Sequence, residues 1–154
     1  MTLRVLCVRT GIAAVLIGAA ALVGDAQAPA TVDERVRTAI LAKEPAWKLD
    51  DSAVEDRRFW HEWKNRAERI SIEYTDHQSR ADASAWLYAL PGKVSMPGWK
   101  PLIGVEDEAL IWTLPSVGKT TICFRKTRYI VSVTAPSKTL ATRIAHLVAA
   151  QIYE

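Results

Sequence analysis

From residue 32 onward the apolar positions fall into runs that switch between helical and strand spacing. Val32, Val36, Ala39 and Ile40 recur at helical intervals, and Thr31-Val32-Asp33-Glu34 has the form of a capping box, in which each side chain satisfies a backbone N–H at the helix start. Pro45 stops the run, so the pattern predicts a first helix over about Val32 to Lys43. From Arg69 the spacing becomes two: Ile70, Ile72 and Tyr74 alternate with Ser71, Glu73 and Thr75. The preceding residues, Phe59 to Trp63, fit either helix or strand. The strand is preferred because a hairpin with Asn65 to Glu68 as its loop sets Trp63 opposite Ile70, His61 opposite Ile72 and Phe59 opposite Tyr74.

Ser79 and Asp82 form a second cap. The apolar stripe Ala83, Trp86, Leu87 and Leu90 follows, and Pro91-Gly92 is expected to end this helix. Between Pro91 and Gly104 no periodicity survives; loops of this length are often functional. Three strands are predicted next: Ala109 to Leu114, Lys119 to Arg125 and Arg128 to Thr134. A tip at Lys126-Thr127 would set Phe124 opposite Tyr129, Ile122 opposite Val131 and Thr120 opposite Val133. Ser137 caps a last helix whose stripe is Leu140, Ile144, Leu147, Val148 and Ile152. Strands joined by hairpins favour an antiparallel sheet. The expected class is therefore α+β: an antiparallel sheet of about five strands with three helices packed against it, after an N-terminal signal peptide.

The signal is read from the first 28 residues. Arg4 and Arg9 precede an unbroken apolar run, Gly11 to Val23, and Ala26-Gln27-Ala28 offers small residues for cleavage. Thirteen helical residues rise about 20 Å, too short for a hydrocarbon core of roughly 30 Å, so a cleaved leader is preferred to a retained anchor. The chain then divides into residues 1–28, signal peptide, and 29–154, one α+β domain without a transmembrane segment. It would be exported to the periplasm or secreted.

Composition adds limits. The 154 residues carry 20 Lys and Arg against 17 Asp and Glu. Loss of Arg4, Arg9 and Asp25 leaves a net charge of +2. So small an excess, in an exported chain, argues against nucleic acid as a partner. Cys7 departs with the leader, leaving Cys123 alone and no internal disulfide. Six tryptophans remain in the mature part and are expected to supply much of the core.

Four candidate sites follow. Cys123 is the one thiol available as a nucleophile, but no cysteine-enzyme signature accompanies it, and an apolar place on the second face of the sheet is the better reading. His61, His77 and Glu73 lack the spacing of a metal site, and no metal or cofactor is expected. Glu106-Asp107-Glu108 could serve acid–base chemistry, though a solvated turn before a strand explains it more simply. Arg125-Lys126-Thr127-Arg128 is the densest basic cluster and falls at a hairpin tip, where charge keeps a turn in water.

The loop holding Met96, Pro97, Gly98, Trp99, Lys100 and Pro101 presents a large ring on a semi-rigid segment, and tryptophan is enriched at binding hot spots. The alternative is that Trp99 folds back on the sheet as a lid. The functional reading is a non-enzymatic binding module of the bacterial periplasm or envelope. Trp99, Met96, Lys100, Arg125, Lys126 and Arg128 are its contact residues, and an unknown protein or a small apolar ligand is its partner. A small exported enzyme using Cys123 or the carboxylates around Asp107 is the second class. A protein weakly attracted to anionic envelope surface is the third.

Overall fold

The computed structural model describes residues 30–93, 98–106, 108–114 and 118–153. The proposed signal peptide, Met96, Pro97 and Asp107 lie outside them. In chain order the elements are α1 (Val32–Lys43), β1 (Lys48–Glu55), β2 (Arg58–Asn65), β3 (Glu68–Asp76), α2 (Arg80–Lys93), β4 (Lys100–Pro101), β5 (Glu108–Leu114), β6 (Lys119–Lys126), β7 (Tyr129–Ala135) and α3 (Lys138–Ala149). The strands form one antiparallel sheet in the order β1-β2-β3-β7-β6-β5-β4.

The sheet has seven strands, not about five. The two additional strands are its edges. β1 is exposed along almost its whole length, so neither of its faces imposes an apolar alternation. β4 is two residues long and sits within the aperiodic stretch. The β2–β3 register is the expected one, Trp63 with Ile70 and Phe59 with Tyr74, but Asn65 already pairs with Glu68, so the loop is only Arg66-Ala67. In the β6–β7 hairpin the tip is Thr127-Arg128. Lys126 pairs with Tyr129, Phe124 with Val131 and Ile122 with Val133, two residues from the expected register. Because a strand repeats every two residues, that slip leaves every side chain on its expected face.

α2 also runs past its expected stop. Pro91 lies in its last turn, where a missing N–H costs one hydrogen bond to the Leu87 carbonyl and leaves the rest of the helix intact. Its start is as expected: the Ser79 hydroxyl accepts from the Asp82 backbone N–H (3.1 Å) and donates to the Asp82 carboxylate (2.7 Å). At α1 the full Thr31–Glu34 capping box is present.

α1 and α3 pack on one face of the sheet, closing a core of Val36, Ile40, Trp63, Ile72, Phe124, Val133, Ile144 and their neighbours. α2 packs on the other face over a small cluster, Ala83, Leu87, Leu90, Cys123 and Ile130. Only two tryptophans belong to the main core, Trp47 and Trp63. The tryptophans supply less of it than expected: Trp60, Trp86, Trp99 and Trp112 are half-buried.

Candidate functional site: the second face of the sheet

Pairing fixes which residues share this face, because directly opposed residues point the same way. One row crosses the sheet as Glu62, Ser71, Thr134, Thr121 and Trp112. The next reads Trp60, Glu73, Ser132, Cys123 and Leu110. α2 seals the Cys123 and Leu110 end of the second row. The remainder is half-exposed and polar.

Here the charges are paired within the face. Arg58 donates two hydrogen bonds to Glu73, both at 2.9 Å, and Arg69 bridges Glu62 and Asp50. Thr121 and Thr134 are joined through their hydroxyls at 2.9 Å, and Trp60 Nε1 donates to Ser71 Oγ at 3.0 Å.

Trp99 lies inward of the loop that carries it. It packs beside Leu110 and the α2 cluster and stacks with Trp112, ring centres 6.2 Å apart, and its Nε1 is buried without a hydrogen-bond partner. Gly98, at φ +114°, allows the chain to turn against the Trp112 ring, and a side chain there would be strained whatever the space. What this stretch exposes instead is Ile103, at 96%, which sequence reasoning did not single out. Ile103, Leu102 and Pro101 join Leu87, Tyr88 and Leu110 around a groove of about 210 Å³ between α2 and the β4–β5 edge. Tyr88 is itself 73% exposed. Neither residue stands in a periodic run pointing outward, so only their exposure reveals them. Lys100 is exposed on β4, paired with Ile111.

The basic cluster does not form one solvated tip. Arg125 is buried and grips Glu108 with two hydrogen bonds (2.7 and 3.1 Å), and Ser84 of α2 donates to the same carboxylate. The Arg125 hydrogen bond, opposed by burial and helped by Ser84, holds Glu108 below the usual carboxylate range. Lys126 holds Glu106 at 3.1 Å, and Arg128 pairs with Asp76, which also meets Arg57. Cys123 lies beneath α2. Burial first, then the charge of Glu73, pushes its thiol up to about 12, so almost none is thiolate at neutral pH.

A separate polar group sits on the first face. The Asp33 carboxylate of α1 accepts a hydrogen bond from the Tyr74 hydroxyl and another, 2.6 Å long, from His61 Nε2. Burial opposes ionisation of Asp33, but the hydrogen bonds from Tyr74 and His61 outweigh it and hold the carboxyl below its ordinary 3.8. Burial, reinforced by Asp33, raises Tyr74 far above its ordinary range. His61 and Glu73 therefore point from opposite faces of the sheet and cannot share a metal. Among the described residues no three His, Cys, Asp or Glu side chains are grouped to hold one. No helix among them is long and apolar enough to cross a membrane.

No protein-family model matches the chain, and no curated protein is similar to it. Among solved structures it is similar to a GTP binding regulator from Thermotoga maritima, at 13% identity and a TM-score of 0.52, covering 80% of this chain and 93% of that one. At that identity the likeness concerns the fold: an α+β antiparallel arrangement found in another protein.

Proposed function

We propose that the protein is an exported, non-enzymatic binding module that engages a partner protein through the groove between α2 and the β4–β5 edge. The observation that carries this reading is the pair of exposed side chains, Ile103 and Tyr88, flanking a mostly apolar recess that Glu108 also lines. A volume of about 210 Å³ is below the roughly 300–1,000 Å³ that encloses a small ligand. It suits one anchoring apolar side chain of a partner. The leader-like residues 1–28 support export, and the fold the chain shares with the Thermotoga GTP binding regulator is compatible with a binding role.

The enzyme alternative finds less support. Cys123 is capped by α2, and Glu106 and Glu108 are neutralised by Lys126 and Arg125. The basic residues are likewise engaged by carboxylates, which weakens the anionic-surface alternative.

Two measurements test the reading. Native mass spectrometry of protein exported by a bacterial host should give the mass of residues 29–154; a full-length mass confined to membranes would sink the export half. A photo-reactive residue at position 103 should give a discrete cross-linked species that one at Lys48 does not. Combining the label with Tyr88→Asp should remove that species while the melting temperature stays within about 3 °C, as for a surface substitution. Equal labelling from both positions would mean the groove is not a contact.

A further inference from the structure

We infer that the open half of the second sheet face is a carbohydrate site that takes a short neutral oligosaccharide laid across the strands. This site is separate from the α2 groove. Trp60 on β2 and Trp112 on β5 stand at its two ends, four strand spacings or about 19 Å apart. Both rings are half-buried and held in place, Trp60 by its hydrogen bond to Ser71 and Trp112 by stacking on Trp99. The bond to Ser71, one strand over, directs the Trp60 indole toward the hydroxyl row. Between the two rings runs the hydroxyl row Ser71, Thr134 and Thr121. Beside Trp60 a depression of about 290 Å³ is lined by Ala53, Glu55, Arg58 and Glu73.

Sugar rings are amphipathic in the manner this surface matches. Their C–H sides stack on aromatic faces, while their rims carry hydroxyls that both donate and accept. Charge selects among ligands that stack. Arg58 and Arg69 are already bound to Glu73, Glu62 and Asp50, and Asp51 and Glu55 add further negative charge along this edge. Phosphates of a single-stranded nucleic acid, which would also stack, meet carboxylates in place of free cations. A protein partner would want an apolar central patch, and the middle of this face carries the hydroxyls of Ser71, Thr134 and Thr121.

The test is a titration of the mature chain with chitotetraose, cellotetraose and maltotetraose, followed by tryptophan fluorescence and by amide shifts. At least one should saturate below about 10 mM, with an affinity unchanged between low and high salt, since no ion is displaced. Trp60→Ala and Trp112→Ala should each weaken it by about tenfold or more, the loss usual for a stacking ring. Trp60→Tyr should restore most of the loss, and Ile103→Ala should have no effect. Ser71→Ala is a second probe that keeps both rings should Trp112→Ala disturb the fold. Failure of all three sugars to bind would overturn the inference. So would binding indifferent to both rings and to Ser71, or a preference for an oligothymidine that fades with salt. Each of these results leaves the α2 groove untouched.

Discussion

The two faces of the sheet are made by the same strands yet are built on different chemistry. The face under α1 and α3 buries a cluster of twenty hydrophobic residues among those described, whereas the face under α2 buries five. In the first, the main polar group is His61, Asp33 and Tyr74, which ties α1 to β2 and β3. In the second, ion pairs and hydroxyls lie open, and four tryptophans stay half-buried. The contrast teaches that alternation supplies two surfaces with separable tasks. One face holds the fold, and the other is left available for contact. Substitutions can break this division or sharpen it.

The largest expected effect is on the first face. Trp63 is fully buried in the main core, so Trp63→Ala should destabilise by about 3–5 kcal/mol through lost burial and a residual cavity. Urea unfolding would register this as a lower midpoint at an unchanged slope. A loss under about 1 kcal/mol would mean that the first face is not the one that stabilises the sheet.

Next comes a buried charge on the second face. Glu108→Ala would leave the buried Arg125 guanidinium without its bidentate partner, for about 3 kcal/mol. Replacing both residues together, Glu108→Leu with Arg125→Met, should recover most of that loss. If the double variant were no better than the single one, the penalty would not come from an orphaned charge.

How far this division was legible in the sequence depends on burial. Where a strand is buried on one side, as in β2 and β3, alternation gave the register directly, Trp63 against Ile70 included. β1 has no buried side, and Lys48–Glu55 therefore carries no period to read. The hairpin tips were obscured for a different reason. Asp56, Arg66 and Thr127 all take a left-handed φ of 51–54°, a conformation that glycine usually signals. Without a glycine the two-residue loops resemble strand, and the β6–β7 tip was placed one position off, which shifts its register by two. On the second face, Trp99 could be singled out as unusual, but sequence does not show whether a ring in an aperiodic loop points inward. Ile103, an ordinary aliphatic residue, gave no signal at all.

A smaller effect comes from the polar group on the first face, and it depends on pH. Asp33 has a folded pKa below its ordinary 3.8, so its contribution is fully present above about pH 5 and is lost as pH falls through the folded value. Asp33→Asn should cost about 2 kcal/mol near neutrality, the worth of hydrogen bonds to a charged group. Below that folded value the variant and the parent should converge. The check is the midpoint of urea unfolding measured across this range. A difference that stays constant down to the lowest pH would show that Asp33 acts through packing and not through its charge.

The smallest expected effect on stability is the most informative about the second face. Trp60 is half-buried, covers no part of the α2 cluster and makes one side-chain hydrogen bond, to Ser71. Trp60→Ala should therefore cost about 1 kcal/mol or less, a few-fold less than the same change at Trp63 three residues along the same strand. Those two positions differ in little except the side of β2 on which they fall. A large ring is costly to leave half in water without a use, because burying it would contribute to folding. If Trp60→Ala lowers oligosaccharide affinity about tenfold while barely moving the unfolding midpoint, the ring serves binding and the two faces are separable in energy as well as in position. If it instead destabilises as much as Trp63→Ala, Trp60 belongs to a second core, and the division between the faces is only geometric.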